Sequence, residues 1–404
     1  MVRTLRRARW CDAVMVFISV VSASLSIVPV QSPAPFALAD ADVMARCVQR
    51  YAEMVSAEYA DTLRAAESMR AAIGAFCDSP SEAGLARARQ SWISARDAYG
   101  RTEAFRFGNG PIDTRRGGVE TFVNAWPVDE AYIEPADPEA RTGIIRDSAR
   151  YPALGRAVLR LLNQRGGETN VCTGWHAIEF MLWGVDLSDD GPGARPFVDF
   201  VDAASPYAAR RREFLLEITD LLCEDLAKLD RAWAGDAEGC ATSQSGVGHS
   251  ENHRARLIAD PRAMRAILIG PALLAGFEMS GERLAVALET RDQEEEHSCF
   301  SDTTDRDFKA NIRGIALVVR DSGAIEVVRV RDEARAQSLT AALDAAETAV
   351  DAMPAPFDRA MRAADDDPAR KRLVAVLEAL EVLGEELDAA ARLLGYELPA
   401  EPQG

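Results

Sequence analysis

The sequence predicts an all-α protein that consists of two related helical bundles with long ordered loops. The chain has 404 residues, 48% of them hydrophobic, so it can form one large globular domain or two smaller ones. Most of it is alanine-rich and helical in pattern. Residues 63–68 and 343–348 share the pattern Leu-x-Ala-Ala-Glu followed by serine or threonine. Unless it is coincidence in an alanine-rich chain, this repeat predicts two pseudo-symmetric halves, and the cleft between them is a favoured place for a ligand.

The first 39 residues are predicted to be a signal peptide. A basic segment ending at Arg9 precedes an uncharged apolar run, 13–30, and residues 37–39 form an Ala-Leu-Ala cleavage site. The mature chain would then begin near Asp40 and work outside the cytosol. An uncleaved membrane anchor is the alternative. We find no later apolar run long enough to span a bilayer, so we expect a mature form that does not cross a membrane.

The charge and the known signatures exclude several classes of function. The formal net charge of −18 argues against nucleic acid as a partner and against binding to an anionic membrane surface. Signatures of serine hydrolases, P-loop proteins and dinucleotide-binding proteins are absent from the sequence.

The predicted mature chain keeps an even number of cysteines. They are Cys47, Cys77, Cys172, Cys223, Cys240 and Cys299. In an oxidising compartment six cysteines permit three disulfides, but their spacing does not choose a pairing. Buried free thiols are the alternative for several of them.

The helices are predicted from apolar periodicity and from the proline, glycine and capping residues that bound them. Ser81 is the expected N-cap of the second helix. The predicted ranges are 41–76, 82–107, 168–183, 207–233, 261–289, 337–364 and 368–394.

Long loops separate several of these helices. Residues 108–149 form an irregular stretch in which Phe122, Trp126 and Tyr132 argue against disorder. A second loop, 184–206, is rich in proline and glycine. Ordered loops of this length are usually functional.

The domain boundaries follow from composition. Residues 235–250 are small and polar, and are predicted to link a first helical domain, 40–234, to a second one, 251–404. Residues 292–307 form a polar loop. Residues 312–330 are ambiguous between helix and strand because they are rich in isoleucine and valine.

The most informative stretch is 174–184, which reads as a helix that is apolar almost all the way round. It nevertheless carries His176 and Glu179, three residues apart and hence on one face. A carboxylate in such a setting needs a partner or a cation, because unpaired buried charge is costly. The pair could therefore form half of a metal site. A histidine satisfied within the core is the alternative.

Other candidate ligands lie elsewhere in the chain. His297 and Asp302 belong to the loop segment 294–302, which offers several oxygen and nitrogen donors to a hard or borderline cation. Glu103 lies near the end of the second predicted helix, and Asp113 follows in the first long loop. Each of these residues taken alone is more simply explained as structural.

A zinc peptidase motif is incomplete. Zinc peptidases use H-E-x-x-H or its inverted form H-x-x-E-H. Here Phe180 follows Glu179, so the second histidine is missing. Since a catalytic zinc normally has three protein ligands, other segments would have to complete the site.

The sequence resembles the imelysin family, also called peptidase family M75, and in particular its iron-regulated, IrpA-like branch. Residues 174–179 fit the family's G-x-H-x-x-E motif. Further matching segments are 110–113, 124–130, 180–184, 190–196, 281–283 and 296–302.

The resemblance implies an all-helical fold of two four-helix-type bundles with the site between them. It also implies export to the periplasm or outer envelope of a bacterium and a link with iron uptake. By the resemblance, His176 and Glu179 would be metal ligands, with Glu103 and Asp113 as candidate additional ones. His297 and Asp302 would line the same cleft from the second half.

We therefore expect a non-catalytic metal-binding protein that captures iron, or alternatively zinc, by carboxylate and imidazole groups in an interdomain cleft. Its expected partners are the metal ion and an envelope iron transporter or receptor. The alternative hypotheses are an M75-type metallopeptidase and a module that binds a ligand other than a metal.

Overall fold

The computed structural model of the protein describes residues 38–114, 118–186, 188, 191–234, 252–399 and 401. Within these residues the regular structure is entirely helical and contains no strand, which confirms the predicted all-α fold. The predicted signal peptide, except for its last two residues, and the whole predicted linker lie outside the described residues.

The described residues before the predicted linker form three long helices, the motif helix and four short helices. They are α1 (Leu38–Asp78), α2 (Glu82–Thr102), α3 (Glu120–Val123), α4 (Glu130–Ile133), α5 (Gly143–Arg146), α6 (Arg156–Leu162), α7 (Gly174–Trp183) and α8 (Ala208–Trp233). Two 3₁₀ turns, Glu103–Phe105 and Phe197–Phe200, accompany them. The described part of the loop predicted at 108–149 contains α3, α4 and α5.

Helix α1 packs along both α2 and α8, and α7 contacts α2 and α8. The hydroxyl of Ser81 accepts a hydrogen bond from the Gly84 N–H at 3.2 Å, so Ser81 caps α2 as predicted. The motif helix begins at Gly174, six residues later than predicted. The reason is that the Asn163 side chain accepts hydrogen bonds from the backbone N–H groups of Cys172 and Thr173, which holds this stretch in a turn.

The part after the predicted linker is built from α9 (His253–Ala259), α10 (Ala263–Leu273), α11 (Val286–Thr290), α12 (Thr304–Ala316), α13 (Ala324–Arg329), α14 (Glu333–Asp351), α15 (Phe357–Arg362) and α16 (Pro368–Leu393). A 3₁₀ turn spans Gln293–Glu295. Helix α14 packs along α16, and α16 also packs against the segment that joins α10 to α11.

That joining segment, Leu274–Ala285, is a π-helix of 12 residues. A π-helix closes its hydrogen bonds five residues apart and is rare, and it occurs frequently at functional sites. Here it buries Arg283 in the interior of the protein, next to the half-buried Glu278. A second π-helical turn, Leu317–Asp321, continues α12.

The ambiguous stretch 312–330 is helical. Its β-branched side chains do not form a sheet because they are buried on helices, as Val319, Val327 and Val328 show. Burial against neighbouring helices therefore overrides the strand preference of these residues.

Two glycines fix the turn Glu103–Phe105, which follows α2. A Cβ atom on Gly270 of α10 would lie 2.1 Å from the carbonyl oxygen of Ala104. A Cβ atom on Gly314 of α12 would lie 2.3 Å from the carbonyl oxygen of Arg101. Both helices therefore approach the backbone around this turn more closely than any other residue would allow. This close packing holds Glu103 in place.

The described helices before and after the predicted linker share one core, since α1 contacts α10 and α13 while α12 packs along α2. The described residues form one compact unit. The division into domains 40–234 and 251–404, and their pseudo-symmetry, remain predictions.

One helical stretch in the described residues, Ala263–Thr290, is long and apolar enough to cross a bilayer. We did not expect such a stretch from the sequence. However, 72% of its most apolar window is buried within the protein, which is typical of the core helix of a globular protein.

The described cysteines are free thiols. Cys47, Cys77, Cys172 and Cys223 are buried, and Cys299 is half-buried. Cys240 lies outside the described residues. The alternative of buried free thiols therefore holds for four of these five.

Candidate functional site

His176 and Glu179 lie side by side on α7, where every residue is buried. The Nδ1 atom of His176 is 2.9 Å from Oε2 of Glu179. The other oxygen of Glu179 accepts hydrogen bonds from the backbone N–H and the hydroxyl of Ser301, at 2.9 and 2.7 Å. These contacts hold the loop around Ser301 against the motif helix.

Burial perturbs the titration of both groups. Removal from water raises the pKa of Glu179 to about 8, although the hydrogen bonds from Ser301 lower it. Removal from water also lowers the pKa of His176 well below its usual value, and the positive charge of Arg96 lowers it further. Both shifts favour the uncharged forms, because a low-dielectric interior disfavours charge.

His297 forms a second pair of the same kind with Asp307. Its Nδ1 atom is 2.8 Å from Oδ2 of Asp307, and the same oxygen accepts a hydrogen bond from the Ser298 hydroxyl at 2.5 Å. The ring centroids of His176 and His297 are 4.8 Å apart, and the Trp126 ring lies 5.6 Å from that of His297. Each imidazole therefore has its Nδ1 against a carboxylate, which leaves its Nε2 for another partner.

The guanidinium of Arg96 lies among the acceptors of this site. Its Nε donates to Oδ1 of Asp307 at 3.0 Å, and its Nη1 donates to the side-chain oxygen of Asn124. Its Nη2 is 3.5 Å from Nε2 of His176 and 3.9 Å from Oε1 of Glu103. Oxygen and nitrogen atoms that could also bind a metal ion thus surround the positive charge of this guanidinium.

Glu103 is held by a second buried arginine. Arg283 donates to Oε2 of Glu103 at 2.5 Å, to Glu278 at 2.7 Å and to the side-chain oxygen of Asn311 at 2.8 Å. Burial by itself raises the pKa of Glu103, but the charges of Arg283 and Arg96 outweigh it and lower that pKa. Glu103 is therefore an anion that is neutralised by arginines.

We call these residues the central cluster. It comprises Arg96, Glu103, Asn124, His176, Glu179, Arg283, His297, Ser298, Ser301, Asp307 and Asn311. Its members come from both sides of the predicted linker, and in chain order they span α2 to α12.

The other two residues predicted as ligands lie elsewhere. Asp113 accepts a hydrogen bond from the Gly110 N–H at 2.8 Å and stabilises its own turn. Asp302 directly follows Ser301, but its carboxylate lies beside a different group of carboxylates. Of the six predicted ligands, the structure therefore brings together His176, Glu179, His297 and Glu103.

Asp302 belongs to a second group, the acidic cluster, which consists of Glu296, Asp302 and Asp358. One carboxylate oxygen from each residue lies within 4.8 Å of the others. Glu296 and Asp358 are fully buried, whereas Asp302 is half-buried. Burial raises the pKa of Asp302, and Asp186 raises it further. Asp186 also lines a cleft of about 440 Å³.

Most of the chain matches the model of a known protein family. The Imelysin family model, peptidase family M75, matches residues 55–387. The chain belongs to the imelysin family.

Individual relatives agree with this membership. An iron-regulated protein A from Synechococcus elongatus is 31% identical over 84 residues, which cover 21% of this imelysin and 22% of that relative. The match therefore spans about a fifth of the length of that protein.

Two solved structures share the fold. One, provisionally named an iron-regulated protein A precursor from Parabacteroides distasonis, has a TM-score of 0.67 at 17% identity, covering 87% of this imelysin and 95% of that chain. The other, an imelysin-like protein from Psychrobacter arcticum, has a TM-score of 0.61 at 14% identity, covering 88% and 98%. At these identities the likeness establishes the fold.

Sequence reasoning missed several residues of the two clusters. Arg96 and Asp307 are 211 residues apart in the chain, and nothing in their local sequence indicates that they meet beside His176. Glu296 ends a run of three glutamates that reads as a solvated surface, yet it is buried. Asp358 has no signal in the sequence around it.

Proposed function

We propose that this imelysin is an exported protein of bacterial iron handling that binds a metal ion, iron in preference to zinc, in the central cluster. Family membership and the names of the iron-regulated relatives support the link with iron. The predicted signal peptide, and the word precursor in the name of one relative, support export to the periplasm or outer envelope. There the protein would deliver its ion to an envelope iron transporter or receptor.

The observation that carries this proposal is the pair of buried imidazoles. His176 and His297 are 4.8 Å apart by ring centroid, and each places its Nδ1 against a carboxylate. Histidines that bind a metal commonly hold a carboxylate at the other ring nitrogen, because this fixes the tautomer and the ring orientation. Glu179 and Asp307 would serve that purpose and leave both Nε2 atoms for the ion.

The low pKa of His176 and of His297 supports the same reading. Burial lowers both values well below the usual one, with nearby arginines adding to the effect. The rings are therefore neutral at neutral pH, and a neutral imidazole is the form that binds a metal.

Arg96 occupies the position that a metal ion bound to His176 would take. Its guanidinium lies 3.5 Å from Nε2 of His176, so an ion bound at that nitrogen must displace it. Displacement frees Oδ1 of Asp307 and the oxygen of Asn124, which Arg96 holds, to act as further ligands. The ion would thus take the place of the positive guanidinium and bind to the same side-chain oxygen and nitrogen atoms.

The origin of the central cluster favours a site between the predicted halves. His176 lies before the predicted linker, and His297 lies after it. A change in the packing of the two halves would therefore alter the distance between the two imidazoles, which offers a route for capture and release.

Calorimetry tests the proposal. The mature chain, 40–404, is stripped with a chelator and titrated with ferrous iron under anaerobic conditions, and separately with zinc. We expect one ion to bind per chain. His176→Ala and His297→Ala should each weaken binding by at least about tenfold, because each removes a ligand.

His253→Ala is the matched control. His253 packs against Trp233, outside the central cluster, so its loss should leave the affinity unchanged. Absence of binding, or binding that neither His176→Ala nor His297→Ala weakens, would contradict the proposal.

Peptidase activity is a second candidate, and one observation favours it. The pKa of Glu179 is raised to about 8, a property of carboxyl groups that act as general acids and bases near neutral pH. Against it, Glu179 is fully buried and no substrate reaches it without rearrangement. Incubation of metal-loaded protein with an unstructured polypeptide tests this, because cleavage that Glu179→Gln abolishes would establish the activity.

A further inference from the structure

The acidic cluster is separate from the central cluster and has a different donor chemistry. It offers oxygen atoms alone, from Glu296, Asp302 and Asp358. The charged residues that interact electrostatically with Glu296 are also acidic, namely Asp302, Asp358 and Glu179. Three carboxylates at such short range repel one another unless protons or a cation neutralise them.

Glu296 is the residue that points to a ligand. Its side chain is fully buried, and neither of its carboxylate oxygens has a hydrogen-bond partner of ordinary geometry. A buried carboxylate without partners is costly, and in folded proteins such groups are usually paired or coordinate a metal. One of these oxygens faces the oxygens of Asp302 and Asp358 within 4.8 Å.

We propose that Glu296, Asp302 and Asp358 bind a hard divalent cation of the size of Ca²⁺. Carboxylate oxygens are the donors that hard cations prefer. Ca²⁺ binds oxygen at about 2.3–2.6 Å, so two ligands on opposite sides of the ion are up to about 5 Å apart. A spacing of up to 4.8 Å agrees with that distance, whereas Mg²⁺, with bonds of about 2.1 Å, would need the carboxylates to move closer.

The position of the cluster indicates what the cation would do. Glu296 directly precedes His297, and Asp302 directly follows Ser301. Asp358 lies on α15, outside this loop. A cation held by all three would therefore fasten both ends of the segment 296–302 to α15. That segment supplies the imidazole and the hydroxyl that contact the motif helix.

Thermal unfolding tests the proposal. The melting temperature of the chelator-stripped mature chain is followed while CaCl₂ is raised to about 10 mM, a range that covers the affinities of extracellular calcium sites. We expect the melting temperature to rise with calcium concentration, since an ion that binds only the folded state stabilises it. Magnesium should give a smaller rise.

Variants assign the effect to the cluster. Asp302→Asn changes a half-buried ligand, and Glu296→Gln changes a buried one; each should weaken calcium binding by at least about tenfold and reduce the rise. Glu294→Gln is the matched control, because Glu294 is exposed and two residues away, and it should behave like wild type.

The outcomes separate this proposal from the proposed function. No rise with calcium, or the same rise in Asp302→Asn as in wild type, would overturn it. An equal rise with magnesium would overturn the assignment to a calcium-sized ion. His176→Ala should keep the full calcium effect. A wild-type protein that binds iron but shows no response to calcium would therefore refute this inference alone.

Discussion

The buried carboxylate of Glu134 should make the protein lose stability in acid. Glu134 lies in the first long loop, and its side chain is 2% exposed. It accepts hydrogen bonds from Arg211 at 2.7 and 2.9 Å, from Arg146 at 3.0 Å and from Arg195 at 3.1 Å. Burial alone would raise its pKa, but these arginines outweigh burial and lower it to about 2.

The size of the effect follows from the shift. The ordinary pKa of 4.5 falls to about 2 in the folded state, and a difference of about 2.5 units corresponds to about 3 kcal/mol at neutral pH. Because the folded pKa of Glu134 is the lower one, this stabilisation is complete above the unfolded pKa. It is lost as the pH falls from about 4.5 towards 2, with about 2 kcal/mol gone at about pH 3.

Chemical denaturation of wild type and Glu134→Gln at several pH values measures this contribution. At about pH 7 the wild type should be more stable by about 3 kcal/mol, and at about pH 3 the difference should shrink to about 1 kcal/mol. Glu139→Gln, at an exposed position of the same loop, is the control and should show a small difference that does not depend on pH. A difference between wild type and Glu134→Gln that stays constant between the two pH values would refute the reasoning.

Further predictions concern packing and the central cluster. Gly270→Ala should lower the free energy of unfolding by more than about 2 kcal/mol, because its Cβ would overlap the carbonyl oxygen of Ala104. Gly74→Ala, near the end of α1 with open space around it, should instead raise that free energy by up to about 1 kcal/mol; equal effects in urea unfolding would disprove the packing argument. Arg96→Gln should strengthen the binding of ferrous iron in calorimetry, since it removes the guanidinium that competes for His176. Weaker binding in Arg96→Gln would show that the guanidinium supports the metal site rather than competing for it.

The sequence was most informative where the pattern is local. Apolar periodicity predicted most of the long helices, although the single helix predicted at 337–364 is wrong because α14 ends at Asp351 and α15 begins at Phe357. The spacing of His176 and Glu179 correctly predicted that they share one face. The resemblance led us to expect His297 near the same cleft, and the structure places its ring beside that of His176. The start of α7 was predicted too early, because the side-chain oxygen of Asn163 accepts hydrogen bonds from the backbone of Cys172 and Thr173, and periodicity does not reveal such contacts.

The rest of the site depends on contacts between distant segments. Whether a carboxylate binds an ion, an arginine or another carboxylate is decided by what packs against it. Glu103 and Asp302 look alike in the sequence, yet one is neutralised by Arg283 and the other faces further acidic groups. Local spacing contains no information on that choice, because it reflects the arrangement of α2, α12 and α15 in space.

The π-helix Leu274–Ala285 makes the central cluster sensitive to the length of the chain. Glu278 and Arg283 are five residues apart and in contact at 2.7 Å, which suits the i to i+5 winding of a π-helix. In an α-helix the same two side chains would point about 140° apart. The five-residue spacing therefore requires the π-helical winding, whereas a spacing of four residues would let an ordinary α-helix make the same contact. The number of residues between Glu278 and Arg283 thus decides which kind of helix can bring the guanidinium to Glu103.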